Sequence, residues 1–210
     1  MAKTKYKYRV YDGKMIKEIL ENSRVVILIV LFASGIIIGS ISIKKDFTLI
    51  NNIKEIIASF AMLKAGQGVI ENFIHSLSVN IGFVAVSIFL SFSLIGYPFI
   101  LILPFIRGIA MGAVSGYLYS AYKFTGLGYS MLMIYPGAVI SMIALVIIFN
   151  ESCEYSKNAY SKSILGRGQF EKNETKYFLI RQLIFFAVTA LGALVDGVSS
   201  ALFSRFFNLG

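Results

Sequence analysis

The sequence predicts an all-α protein: a polytopic integral membrane bundle of about five transmembrane helices, with the N-terminus inside and the C-terminus outside. Three observations predict it. Hydrophobic residues make up 57% and charged residues 15% of the chain, at a mean hydropathy of +0.74, and that is more apolar surface than one soluble core of 210 residues can bury. Several uncharged runs are long enough to cross a hydrocarbon layer of roughly 30 Å. The basic residues flank those runs and favour alternate connections, which is where an inner-membrane protein keeps positive charge.

The first span is residues 25–43, VVILIVLFASGIIIGSISI, uncharged between Arg24 and Lys44. The basic stretch 1–24 before it resembles a signal peptide's leader. The apolar run exceeds a signal core of about 7–15 residues, so an uncleaved anchor is expected. The uncharged run from Ser76 to Ile106 is too long for one helix and is interrupted by Gly96-Tyr97-Pro98. Proline lacks a backbone donor and restricts the residue before it, so Gly96 and Pro98 are expected to break the run into spans 76–96 and 99–122. The fifteen residues between Arg107 and Lys123 do not reach across a bilayer, which places Arg107 inside the third span. Span four is 128–150, kinked by Pro136, and span five is 182–204, carrying Asp196. Together these give an integral domain over 25–205.

Orientation follows from lysine and arginine placement. With the N-terminus inside, residues 1–24, the Gly-Tyr-Pro turn and the loop 151–181 hold thirteen basic residues, and the outer segments hold six. Residues 46–64 place Phe47, Ile50, Ile53, Ile57 and Phe60 at helical steps, an amphipathic segment expected on the outer surface as cover for the bundle or as a docking face. The loop 151–181 reads as a solvated helix extension plus a turn, its basic residues near anionic lipid headgroups. The net charge of +9 is therefore a membrane signature, and no nucleic-acid partner is expected.

The chain is short of catalytic parts. His75 is the single histidine, without a second to make a metal site. Cys153 is the single cysteine, which excludes an internal disulfide, and it has no histidine near it in sequence to activate a thiol. An intramembrane aspartyl pair needs two aspartates, and the spans hold Asp196 alone. No phosphate-binding glycine loop or dinucleotide fingerprint is present. No enzyme, metal or cofactor is expected. Arg107 and Asp196 are the two ionisable residues inside the spans, costly enough there that each should face protein or water. At 1.5 Å per residue they lie roughly 12 Å and 21 Å from the inner surface, so an Arg107–Asp196 pair is conceivable. The alternative has Arg107 snorkelling inward and Asp196 capping a backbone break at Gly197.

Small residues recur at four-residue spacing: Gly108, Gly112, Gly116 and Ser120 in span three, Gly35 and Gly39 in span one, and Ala193, Gly197 and Ala201 in span five. Such stripes let helix backbones approach closely, here within the bundle or between copies in a homo-oligomer. Packing is the expected use of these glycines.

The stretch GYPFILILPFIRGIAMGAVSGYLYSAYKFTGLGYSMLMIYPG, followed by NESCEYSKNAY, resembles the stage II sporulation protein M family. Asn80 in span two, Arg107-Gly108 to Gly112 opening span three, and Pro136 in span four carry the likeness, which covers about residues 20–205. Many members carry a His-Gly pair and a glutamate after that proline, where this chain has Gly137, Ala138 and Ser141. The resemblance implies a non-enzymatic scaffold in the mother-cell membrane at the septum. There it would gather two peptidoglycan-cleaving partners, stage II sporulation proteins D and P, for engulfment of the forespore. The rival reading from the residues is a small transporter, or the membrane subunit of an ATP-driven one, with Arg107 and Asp196 on a polar path.

Overall fold

A computed structural model describes residues 23–43, 68–163 and 172–203. The expected amphipathic segment 46–64 lies outside the described residues, as do most of the N-terminal stretch 1–24 and the tip of the loop 151–181. Among the described residues every regular element is helical. These are α1 (Ser23–Ser42), α2 (Val69–Ser91), α3 (Gly96–Tyr129), a π-helical turn (Ser130–Ile134), α4 (Tyr135–Ser163) and α5 (Lys172–Phe203). Four helical runs are long and apolar enough to cross a membrane: Ser23–Ser42, Val69–Ser91, Gly96–Ser163 and Asn173–Leu202.

The third run is folded on itself. Lys123 has φ 51° and ψ −126°, outside helical values, and the chain reverses there. Ser115 Oγ lies 3.2 Å from the Tyr135 hydroxyl, whereas twenty residues of straight helix would separate them by about 30 Å. Gly126 lies so close to the backbone of Leu118 that a Cβ on it would overlap the Leu118 carbonyl oxygen. Residues 96–122 and 124–163 are thus the two arms of a helical hairpin, the second arm beginning with the last turns of α3 and continuing through α4. Leu118, Tyr129, Met133 and Ile134 fill the bend between them.

Helix ends differ from the sequence expectation, for local reasons. α2 begins at Val69 rather than 76, because Glu71 sits in its first turn and accepts a hydrogen bond from the Gly68 amide at 3.3 Å. A carboxylate is favourable there, so it does not mark the edge of the helix. The break between α2 and α3 falls at residues 92–95, and Gly96-Tyr97-Pro98 form the first turn of α3. Proline costs nothing in a first turn, where its missing N–H would have no helical partner. Gly96 is nevertheless needed, because a side chain would run into the Leu90 carbonyl. Pro136 lies in the first turn of α4, two residues after the π-helical turn, which takes up the hydrogen-bond register the proline disrupts. α4 then runs on to Ser163, and α5 starts at Lys172, so most of the loop 151–181 is helix.

The ends of the helices fix how they lie. At one end Arg24 reaches Glu154 at 3.9 Å and Ser156 Oγ donates to the Ser93 carbonyl at 3.0 Å. Tyr155 stacks on Phe178 at 4.4 Å, and Phe92 meets Tyr155 edge-on at 5.4 Å. The start of α1, the end of α2, the end of α4 and the start of α5 therefore share one end. Arg181 pairs with Glu151 at 3.0 Å and Lys162 with Glu174, tying the α4 and α5 extensions together there. The apolar core sits just inside that end, around Leu28, Ile100, Leu145, Ile148, Phe149 and Cys153.

Candidate functional site: a glycine seam and a polar cavity on α3

Among the described residues the most extensive helix contact is between α1 and α3, and along its glycines backbone meets backbone. Gly35 and Gly39 of α1 face Gly108, Gly112 and Gly116 of α3. A Cβ on Gly35 would overlap the Phe105 carbonyl oxygen, one on Gly112 would stand 2.8 Å from the Ile36 Cα, and one on Gly116 2.9 Å from the Ser40 Cα. Each is closer than a real side chain tolerates, and the obstacle is backbone, which cannot rotate away. Such closeness lets dispersion contacts run the length of both helices, the main attraction available between helices in a solvent as apolar as themselves. Ser40 Oγ also donates to the Gly112 carbonyl at 3.0 Å. Ser120, the last member of the stripe, is exposed.

The α5 stripe is used differently. Gly197 faces the start of α2, where a Cβ would be 2.8 Å from the Val69 carbonyl oxygen, and Ala193 is buried. The closest approach of α5 to α4 is one that the sequence reading missed, at Gly137 and Gly192. A Cβ on Gly137 would stand 2.6 Å from the Asp196 amide nitrogen, and one on Gly192 2.8 Å from the Ser141 amide nitrogen. The signal was present as small residues four apart, Gly137 with Ser141. It is a single pair in a chain with eighteen glycines, too short to stand out as a stripe.

The other side of α3 borders a half-open cavity of about 540 Å³. α2 supplies His75, Ser76 and Asn80, α3 supplies Arg107, Ala110 and Val114, α4 supplies Gly137 and Ser141, and α5 supplies Asp196. Both intramembrane charges predicted from sequence thus line one space. Their contacts are separate. Arg107 donates to Asn80 Oδ1 at 3.4 Å and lies over the Phe83 ring at 5.4 Å, while the Ser76 hydroxyl donates to Asp196. Both charges border the same cavity, Arg107 from α3 and Asp196 from α5. Asn80, almost fully buried, also donates to Ser141 Oγ at 3.3 Å and the Thr189 carbonyl at 3.5 Å, so it links α2, α3, α4 and α5. The bonds are long, but each satisfies a group that hydrocarbon could not. His75 lies at the cavity's rim, on the exposed side of α2. Cys153 is buried in the core at the opposite end, away from the cavity. Among the described residues no three histidine, cysteine or acidic side chains gather as metal ligands would.

Described elements that are all helical and suit a membrane, packed by glycine on one side and hollowed around two charges on the other, define the class: a helical membrane protein. The model of one family, stage II sporulation protein M, matches residues 28–208, and the chain belongs to that family. It is accordingly a sporulation-related membrane protein, in a family that is not one of known enzymes. Neither the curated proteins nor the solved structures give a significant match to the chain.

Proposed function

We propose that this protein is a non-enzymatic scaffold of the mother-cell membrane at the septum. In this reading it crosses the bilayer five times, N-terminus in the cytoplasm, and gathers stage II sporulation proteins D and P for peptidoglycan cleavage during engulfment. Membership of the family over residues 28–208 carries the reading. It is supported by an interior in which small residues serve helix packing, and by thirteen basic residues against six on the side assigned to the cytoplasm. The hairpin at Lys123 supplies the extra crossing, since each arm is long enough to span.

One observation favours transport instead: Arg107 and Asp196 share a cavity among apolar helices. The test is complementation of a sporulating host lacking its own family member, with capture of cell-wall hydrolases on the tagged protein. Capture of both hydrolases and restored engulfment are expected, and they should survive in an Arg107→Gln, Asp196→Asn double variant. A double variant that is abundant and correctly localised yet inactive would overturn the scaffold and move the assignment to transport. Orientation is read separately in a Cys153→Ser background. An impermeant maleimide should label Ser59→Cys and spare Ser161→Cys in intact cells, and the reverse pattern would invert the topology.

A further inference from the structure

We propose that the cavity beside α3 is a binding site for the headgroup of a zwitterionic, primary-amine phospholipid, with its phosphate on Arg107 and its ammonium toward Asp196. The proposal is independent of the scaffold reading. It starts from where the cavity opens. Ile106 and Ala110 form its rim on α3, and both are exposed, Ile106 at 48%, although they lie about 15 Å and 21 Å along the helix from Gly96. An opening at that depth, edged by alkyl groups, faces acyl chains, so a ligand can lie with its head inside and its tails in the bilayer.

The polar groups choose the head. Arg107 offers a planar fork of N–H donors matched to phosphate oxygens. Its one hydrogen bond to a described residue, to Asn80, is long at 3.4 Å, and the guanidinium borders the cavity. Asp196 puts the opposite charge in the same space. A purely anionic head would meet Asp196 unfavourably, and a purely cationic one Arg107. A head carrying both charges complements both. A primary ammonium also donates hydrogen bonds, which a trimethylated one cannot. The volume of about 540 Å³ lies within the range of ligand pockets. The π-helical turn ends at Ile134 on the cavity wall, and such turns recur at functional sites.

The experiment is native mass spectrometry of the full chain in detergent, titrated with phosphatidylethanolamine, phosphatidylcholine and phosphatidylglycerol. Phosphatidylethanolamine should bind in preference to both others. Arg107→Gln should weaken it about tenfold, the loss of one charge-assisted contact, while Lys157→Gln, exposed and outside the cavity, leaves it unchanged. Ala110→Phe puts a ring at the mouth of the cavity, where Ala110 is exposed, and removes neither charge; it should abolish the preference, so the test does not depend on Arg107→Gln folding. Equal binding of the three lipids, or a preference that survives Ala110→Phe, would overturn the site. Soluble phosphoethanolamine competing with the lipid supports the headgroup assignment. Stabilisation by the soluble compound without any by the lipid would overturn the membrane as its source.

Discussion

Helix α3 carries two faces built on opposite rules. Toward α1 it offers Gly108, Gly112 and Gly116, and the gap is closed until backbone touches backbone. Toward α2, α4 and α5 it offers Arg107, Ala110 and Val114, and the gap stays open enough to form a cavity. Hydrocarbon surroundings explain both. Apolar side chains gain little by leaving lipid for protein, so a helix pair must win its stability from closeness. A charge gains much by leaving lipid for a polar neighbour, so Arg107 is held by Asn80 even through a long bond. One face therefore has no room for an added atom, and the other has room to spare.

The largest expected effect breaks the tight face. Gly112→Leu places a branched side chain where the Ile36 backbone sits, with even the Cβ only 2.8 Å from the Ile36 Cα. Overpacking costs about 1–3 kcal/mol when neighbours can adjust, and here the neighbour is backbone, so the cost should exceed that range. Membrane abundance should fall to near background, and thermal unfolding in detergent should become undetectable. Normal abundance would mean that α1 does not pack on this stripe.

Next comes the second close approach. Gly137→Ala adds one carbon 2.6 Å from the Asp196 amide nitrogen and 2.6 Å from the Gly192 carbonyl oxygen. α4 and α5 must part by a few tenths of an ångström or more, at a cost of about 1–3 kcal/mol. A clear drop in melting temperature is expected, with the protein still reaching the membrane. Gly137 borders the cavity too, and the atom nearest the added carbon is the Asp196 Cβ, so the penalty comes from crowding while no polar group is removed.

Arg107→Gln tests polarity alone. Glutamine keeps a donor for Asn80 Oδ1 but removes the positive charge from the cavity that Asp196 also lines. A loss of about 1–2 kcal/mol is expected, the value of a hydrogen bond to a charged group less what glutamine recovers. Adding Asp196→Asn should return much of it, measured as melting temperature of the singles and the double. An additive double would show that the two charges do not influence one another.

How much of this was legible follows the same division. The small-residue stripes could be read because periodic spacing projects onto one helix face; which backbone each glycine meets, Ile36 for Gly112 and Val69 for Gly197, could not. The two charges could be read because they stand out in apolar runs. Their neighbours could not, because Asn80 lies twenty-seven residues from Arg107 and nothing local to either residue encodes that approach. Glu71 and Pro98 misplaced two helix ends, since a first turn accepts a carboxylate and a proline that an interior turn would reject. The Gly137–Gly192 approach stayed hidden because one close contact needs only one small residue on each helix.

The smallest expected effect sharpens the contrast most. Ala110 and Gly112 are two residues apart on α3, about 200° around it, and so look in nearly opposite directions. Ala110→Leu adds an isopropyl group to the cavity rim, where Ala110 is exposed and bordered by open space. Such a change should alter stability by no more than about 0.5 kcal/mol, as for substitutions that touch no packed feature. Almost the same side chain at 112 should be ruinous. The comparison holds helix, depth and the final leucine constant, leaving the facing surface as the main variable. Melting temperatures of the two variants measured side by side decide it. If Ala110→Leu is as damaging as Gly112→Leu, the cavity closes in the membrane, and α3 has one rule on both faces.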